Sequence, residues 1–313
     1  MSQTAMPELR SRFASGDFIV TAEVTPPRGP DGERLLREAA ALARAVDAIN
    51  VTDGAGANVR MSSIAAGALL KRGGYEPIVQ ATCRDRNRIA LQADLIGAAA
   101  LGITNVLVLT GDSVEAGELP DAKPVFDMDS RSLTRSLAAL RDQGVTLSGK
   151  TVSPRPDFLL GAADVCLDPQ SQDWSAEPLL AKIAAGARFI QSQYCFDAER
   201  IARHVGRLRE AGLPEDVPYL VGLGPLRSAR VARWMRDSLW GTVMPDDVIR
   251  CLDQASDPEE AGIEICAELL AAAAGTAGVD GAHLMAPGHQ AGIVEAVGRG
   301  LVRQAATESS TRA

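Results

Sequence analysis

Hydrophobic positions along the chain follow two alternating patterns. Short runs that are apolar at nearly every position recur eight times, and longer amphipathic stretches separate them. Runs that are apolar on both faces are typical of strands in a buried parallel sheet. Strands are predicted at 18–23, 48–52, 77–82, 105–110, 158–165, 188–194, 218–223 and 281–285. Predicted helices between them include 33–46, 88–101, 130–143, 176–187, 198–211, 228–239 and 259–274.

Local signals mark the ends of these helices. Asp197 and Asp257 stand where N-caps belong, because their side chains can accept from free backbone N–H groups. Glycines stand where helices should end, at Gly73, Gly102, Gly144, Gly186 and Gly212. The start and stop signals thus agree with the hydrophobic pattern.

Eight strands with intervening helices over about 270 residues match the size of a (β/α)8 barrel, or TIM barrel. An open doubly wound sheet is the alternative. The first strand, however, is not followed by the Gly-x-Gly-x-x-Gly turn of dinucleotide-binding sheets. We therefore predict a single α/β barrel over 15–302, with an N-terminal extension at 1–14 and a polar, frayed C-terminal tail at 303–313.

Composition narrows the class of partner. The 313 residues are 46% hydrophobic, enough for a full core, and 32 basic against 40 acidic residues give a net charge of -8. This balance argues against nucleic acid or an anionic membrane and favours a small molecule. Five cysteines without CxxC spacing indicate reduced thiols, with no disulfide frame and no metal site. Without an apolar signal segment or a span of about 20 apolar residues, a cytoplasmic protein is expected.

Polar residues collect at the predicted strand ends, which converge on one face of a barrel. Glu23 is followed by a proline pair, so it cannot easily cap a helix, and the Thr110-Gly111-Asp112 turn presents its acid to the same mouth. Asp53 and Asp85 are as well explained as N-caps. Glu23 and Asp112 are therefore the favoured functional acids.

Five segments in register resemble the methylenetetrahydrofolate reductase family. The resemblance covers about residues 15 to 290, and the family is a flavin-containing (β/α)8 barrel. The matching segments are 23–28 (Glu-Val-Thr-Pro-Pro-Arg), 82–92, 108–112 with 124–127 (Pro-Val-Phe-Asp), 193–197 and 283–286. No single segment is specific, but all five together are.

The resemblance implies a hydride relay. NADH or NADPH reduces FAD, and the flavin passes the hydride to 5,10-methylenetetrahydrofolate to give 5-methyltetrahydrofolate. Opening the folate's five-membered ring requires a proton on N10, and Glu23, desolvated by apolar neighbours that raise its pKa, is the predicted general acid. Asp112 matches the aspartate beside flavin and folate, where a carboxylate stabilises the cationic iminium. Gln193 matches a glutamine that binds the pterin.

The resemblance also implies a set of FAD-binding residues: Thr52, Gln80, Thr110, Gly111, Asp112, Phe126, Ala162 and Lys182. The chain departs from the better-known bacterial pattern in this set. Gln80 replaces a histidine, Thr110 an arginine, and Ala181 another basic residue. Direct hydride transfer from NADH to the folate without flavin is therefore one alternative, and a non-catalytic folate-binding subunit of a complex is another. The retained Thr-Gly-Asp turn and Pro-Val-Phe-Asp segment favour FAD.

Further expectations concern the nucleotide, the direction of the reaction, the oligomeric state and three individual side chains. The nucleotide preference and the direction, towards methionine biosynthesis or one-carbon catabolism, cannot be derived from the residues. A homo-oligomer is expected only because exposed barrel helices commonly pair. His204 is predicted to be a surface residue and His283 a barrel-wall residue, and Trp240 is assigned to packing or an oligomer contact.

Overall fold

Eight parallel strands pair in sequence order, and β8 pairs with β1 to close a barrel. The computed structural model describes residues 5–311, with side chains through 304. The strands are β1 (Ile19–Val24), β2 (Ala48–Val51), β3 (Pro77–Thr82), β4 (Asn105–Leu109), β5 (Leu159–Asp164), β6 (Phe189–Tyr194), β7 (Tyr219–Leu223) and β8 (Gly281–Leu284). The predicted (β/α)8 fold is confirmed, and each predicted strand end lies within one residue of the observed one.

Helices cover the outside of the barrel. They are α1 (Leu9–Ala14), α2 (Gly32–Leu42), α3 (Ser63–Arg72), α4 (Arg88–Ala100), α5 (Ser130–Asp142), α6 (Glu177–Ala184), α7 (Ala198–Glu210), α8 (Ala229–Ser238), α9 (Asp246–Gln254), α10 (Pro258–Ala274) and α11 (Gln290–Thr311). Asp197 and Asp257 are N-caps as predicted, accepting from backbone N–H groups of α7 and α10. No helix in the described part of the chain is long and apolar enough to cross a membrane.

Several segments differ from what the hydrophobic pattern emphasised. Helices α1, α3 and α9 were not among the named predictions. In α3 most buried residues, such as Ser63, Ala66 and Gly67, are small, so its apolar periodicity is weak. Helix α11 continues through Thr311, across the boundary placed at 302. The division into extension, barrel and tail stays a prediction, and the last two residues of the tail lie outside the described residues.

The N-terminal end of the barrel interior is filled by apolar side chains. Helix α1 closes this end with Leu9, which is fully buried, and with Phe13, whose ring lies 5.7 Å from that of Phe189. Gly161 leaves room for the Phe189 ring, since a Cβ there would lie 2.3 Å from its Cζ atom. The layer consists of Ile19, Ala48, Ile78, Leu107, Leu159, Phe189 and Leu220. This end is therefore packed core.

The prediction for His204 was wrong. Its side chain is only 3% exposed, and its Nε2 lies 2.9 Å from the Asp164 carboxylate at the end of β5. Trp174 donates its indole N–H to the other ring nitrogen at 3.1 Å. His204 lies three residues after the buried Ile201, on the apolar face of α7. Helical spacing thus puts it between helix and barrel.

Candidate functional site

Polar side chains occupy the middle layer of the barrel. Thr21 Oγ1 lies 3.0 Å from His283 Nδ1 and accepts from Gln191 Nε2 at 2.9 Å. Gln191 and Asn50 form a reciprocal amide pair at 2.7 and 3.1 Å. Burial lowers the pKa of His283 to about 3, so this histidine is neutral and belongs to the barrel wall, as predicted. The network gives the layer above it a rigid polar floor.

Glu23 lies directly above this floor. It follows Thr21 by two residues on β1, so both side chains face the interior. Gln80 on β3 donates its Nε2 to Glu23 Oε2 at 2.9 Å. Burial raises the pKa of Glu23 to about 7, and the Gln80 hydrogen bond opposes part of that rise. The protonated form of Glu23 is therefore favoured to a higher pH than in an exposed glutamate.

Asp112 lies on the loop that follows β4. Gly111 adopts φ +100°, a left-handed conformation that favours glycine, and turns the chain so that the Asp112 side chain is exposed. The Asp112 carboxylate accepts from the Gly56 backbone N–H at 3.0 Å. Further along this loop, Glu118 accepts from Val59 N at 2.7 Å and pairs with Arg28. Loops after β1, β2 and β4 are thus tied together over one side of the mouth.

Gln193 lies at the rim, near the end of β6. Its Oε1 accepts from the Tyr194 backbone N–H at 3.0 Å, and its Nε2 makes a longer, 3.4 Å contact with the Trp240 carbonyl oxygen. The Trp240 side chain is 81% exposed, so it is not packed within the chain. The amide of Gln193 therefore has one weakly held N–H group at the mouth.

Asp53 and the arginines that follow β3 are engaged with each other. Asp53 accepts from Thr82 N at 2.9 Å and Thr82 Oγ1 at 3.0 Å and pairs with Arg86, so it links β2 to β3 and caps no helix. Arg84 pairs with Asp85 at 2.7 Å and donates to Gly54 O at 3.1 Å. The donors of Arg84 and Arg86 are therefore largely used in contacts within the chain.

The residues assigned to FAD do not all share one surface. Thr52 directly follows β2 and is only 1% exposed, and its buried Oγ1 has no hydrogen-bond partner in the described residues. Thr110 and Phe126 line an open depression of about 590 Å³ at the end of β4. Lys182 donates from Nζ to Ala163 O at 2.7 Å, and burial lowers its pKa. Ala162 packs in the core between strands and helices.

These observations test whether the chain fits a flavin. The Thr52 hydroxyl follows β2, whereas the left-handed Gly111 and the depression bearing Thr110 and Phe126 follow β4, on the other side of β3 in the sheet. A planar ring with hydrogen-bonding edges fits such surroundings. Gln80 is committed in part to Glu23. The residues present fit the cofactor, with Ala162 contributing no side-chain contact from its position.

Fold and site together define a class. The closed (β/α)8 barrel has one apolar end, and it carries a carboxyl with a raised pKa at the C-terminal ends of its strands, where enzymes of this fold place their active sites. The model of the methylenetetrahydrofolate reductase family matches residues 8–297, nearly the whole chain. The chain belongs to the methylenetetrahydrofolate reductase family.

The individual proteins that match this chain share a low sequence identity with it. A Caenorhabditis elegans protein named probable methylenetetrahydrofolate reductase (NADPH) is 28% identical over 171 residues, which cover 54% of this chain and only 23% of that protein. A Clostridium thermocellum protein described as binding two copies of 5-methyl-5,6,7,8-tetrahydrofolic acid superposes with a TM-score of 0.64 at 14% identity, covering 95% of this chain and 99% of that one. The long-chain alkane monooxygenase LadA superposes with a TM-score of 0.53 at 10% identity, covering 93% of this chain and 92% of that one. At these identities the structural matches show the fold alone.

Sequence reasoning missed the polar floor and the Glu23–Gln80 contact. A usable signal was present, since Thr21, Asn50 and Gln191 are polar residues at inward positions of otherwise apolar strands. The Glu23–Gln80 contact had no such signal. It crosses the interior between β1 and β3, which are not neighbours in the sheet.

Proposed function

We propose that this protein is an oxidoreductase that interconverts 5,10-methylenetetrahydrofolate and 5-methyltetrahydrofolate, using NADH or NADPH and bound FAD. The observation that carries the proposal is Glu23, a carboxyl inside the barrel mouth whose pKa is raised to about 7. Family membership supports the reaction class. The names of the nematode relative and of the folate-binding Clostridium protein support the substrate class.

Glu23 is the proposed general acid. Its protonated form would give its proton to N10 of the folate as the five-membered ring opens. A glutamic acid with the ordinary pKa of 4.5 would be almost fully ionised at pH 7 and a poor donor. Because burial raises the pKa, a large protonated fraction persists at neutral pH. Folate reduction should therefore decline as pH rises through about 7.

Asp112 and Gln193 are the proposed substrate-binding partners of Glu23. The exposed Asp112 carboxylate, oriented by the Gly56 N–H, would stabilise the cationic iminium of the opened folate. Gln193 would pair its amide with the pterin edge, and its 3.4 Å contact with Trp240 O is long enough to exchange readily. Both groups lie on loops or strand ends at the same mouth as Glu23.

Bound FAD would relay the hydride from the nicotinamide to the folate. Thr52, with its orphaned hydroxyl, and Thr110, Gly111 and Phe126 around the β4 loop would hold the cofactor. Gln80 retains one N–H and its carbonyl oxygen for a ring above it. Lys182 would contribute charge near the end of β5, whereas Ala162 pairs with both neighbouring strands and packs in the core, so we propose no contact for it.

A spectrum and two anaerobic half-reactions test the proposal. The purified protein should show a flavin absorption band that NADH or NADPH bleaches and methylenetetrahydrofolate restores. In Glu23→Gln the folate step should slow by roughly 10²–10⁴-fold, the usual contribution of general acid catalysis, while bleaching by the nucleotide persists. Loss of both half-reactions in a folded Glu23→Gln protein would contradict the role of Glu23.

Direct hydride transfer without flavin is the second candidate. It is favoured by the uncharged Thr110 and Ala181 and by the partial commitment of Gln80 to Glu23. A colourless protein that binds no added FAD yet oxidises NADH when given methylenetetrahydrofolate would establish it. A non-catalytic folate-binding subunit would instead leave turnover of its complex unchanged by Glu23→Gln.

A further inference from the structure

A depression lies beside the barrel mouth, between the end of β4 and the start of α5. Its volume of about 590 Å³ falls within the range of small-molecule sites. Thr110 and Phe126 line it together with four charged side chains, Asp127, Asp129, Arg131 and Arg135. The first two of these six residues belong to the proposed cofactor set, and the arginines have no assigned role.

The negative charges that face this depression are already engaged. Asp127 pairs with Arg88 at 2.6 Å, which lowers its pKa to about 2. Asp129 caps α5 by accepting from Ser132 N at 2.7 Å. Within the described part of the chain, neither Arg131 nor Arg135 forms a hydrogen bond or an ion pair, although Arg131 acts on Asp129 at longer range. Two guanidinium groups thus face the depression with unused donors.

The position of Arg131 on α5 favours binding of an anion. Arg131 lies in the first turn, where the helix carries positive partial charge from its free N–H groups and Asp129 is already engaged as the N-cap. Arg135 follows four residues later, so both side chains project from the same side of the helix. A bound anion would be attracted by the helix N-terminus and by both guanidinium groups together.

Phe126 presents an aromatic ring to the same depression. Its neighbour Val125 is held by a 2.8 Å hydrogen bond from its N–H to Arg84 O, and Asp127 on the other side is held by Arg88. Between these anchors Phe126 adopts φ +39°, a conformation that a bulky residue rarely takes, and its side chain stays 40% exposed. A planar ring and two free cations therefore line one depression.

We propose that Arg131 and Arg135 bind the phosphate groups of a dinucleotide, one of whose rings contacts Phe126. The inference rests on the proposed function, because the dinucleotide would be its FAD or its nicotinamide nucleotide. It also accounts for the neutral residues at Thr110 and Ala181, where the family resemblance leads one to expect cations. Lys182 alone does not replace them, since its ammonium group donates a hydrogen bond to Ala163 O. The positive charge that replaces these two cations lies on α5, at Arg131 and Arg135.

Calorimetric titrations with FAD, riboflavin, NADH and NADPH test this assignment. The flavin-free full-length protein is compared with Arg131→Ala/Arg135→Ala, and Arg250→Ala on α9 serves as the control because it too is exposed and carries no ion pair in the described residues. Loss of two charge-assisted hydrogen bonds should weaken the phosphate-bearing ligand about 10-fold or more. Riboflavin, which has no phosphate, should bind equally well, and Arg131→Lys/Arg135→Lys should recover part of the loss.

Comparison of the titrations with the different ligands identifies which dinucleotide supplies the phosphates. Selective weakening of FAD assigns the site to the flavin, and selective weakening of NADPH or NADH assigns it to the nicotinamide nucleotide. Unchanged affinity of the folded double variant for all of these ligands would overturn the inference while leaving the proposed reaction intact. If the wild-type protein binds neither flavin nor nicotinamide nucleotide, both the inference and the proposed reaction fail.

Discussion

The two ends of the barrel interior differ sharply in chemistry. At the N-terminal end, apolar residues from six strands pack around Phe189 of β6 beneath Leu9 of α1. At the C-terminal end, Glu23 has a raised pKa and the Thr52 hydroxyl has no hydrogen-bond partner among the described residues. Burying such groups costs stability, whereas burying the apolar layer supplies it. The same eight strands thus place packing at one end and chemistry at the other.

The largest effect is expected from emptying the apolar end. Phe189→Ala removes a fully buried ring and should lower the free energy of unfolding by about 3–5 kcal/mol. Urea denaturation checks the loss, and flavin reduction measured well below the midpoint should keep its wild-type rate. A loss below about 1 kcal/mol would mean that this layer is not the main packing unit.

Glu23→Gln should have the opposite effect on stability at the polar end. The folded pKa is raised from 4.5 to about 7, so the wild-type protein loses stability as pH rises from 4.5 through 7, whereas glutamine has no such dependence. The variant should be more stable by about 2 kcal/mol at pH 8 and nearly unchanged at pH 5, since one pKa unit corresponds to about 1.4 kcal/mol and partial solvent access reduces the total.

Thermal melts at both pH values measure this difference. Asp112→Asn is the matched control, because it removes an exposed carboxylate from the same mouth and leaves Glu23 in place. Equal stability of Glu23→Gln and wild type at pH 8 would contradict the raised pKa.

Gln80→Leu should act through Glu23 with a smaller effect. Removing the donor deprives the carboxylate of its hydrogen bond, so the pKa of Glu23 should rise further and the decline of folate reduction should move to higher pH. Stability should fall by about 1 kcal/mol at pH 8 and by less at pH 5, where Glu23 is protonated. An unchanged pH profile of folate reduction would show that Gln80 does not influence the pKa of Glu23.

The smallest effect on stability is expected at the loops over the mouth. Glu118→Ala removes both the exposed ion pair with Arg28 and the acceptor for Val59 N, and the melting temperature should not change measurably. Hydrogen exchange of the loop after β4 should accelerate, because Glu118 ties it to Val59 of the β2 loop. Unchanged exchange would show that other contacts hold this loop.

Much of the fold could be predicted because each strand is a short apolar run with clear boundaries. What could not be predicted depends on three-dimensional register. Gln80 meets Glu23 only because barrel closure brings β1 and β3 to face each other across the interior. His204 was missed although its spacing from Ile201 carried the signal. Arg131 and Arg135 stand out only once the partners of Asp127 and Asp129 are known.

The most direct test of this account is the titration of Glu23 itself. Carbon-13 NMR of protein labelled at glutamate carboxyls, with Glu23→Gln to assign the resonance, reports its pKa without any assumption about cofactor or substrate. The account predicts a midpoint near pH 7. A midpoint near 4.5, the ordinary value, would contradict the claim that the polar end of the barrel holds a proton donor.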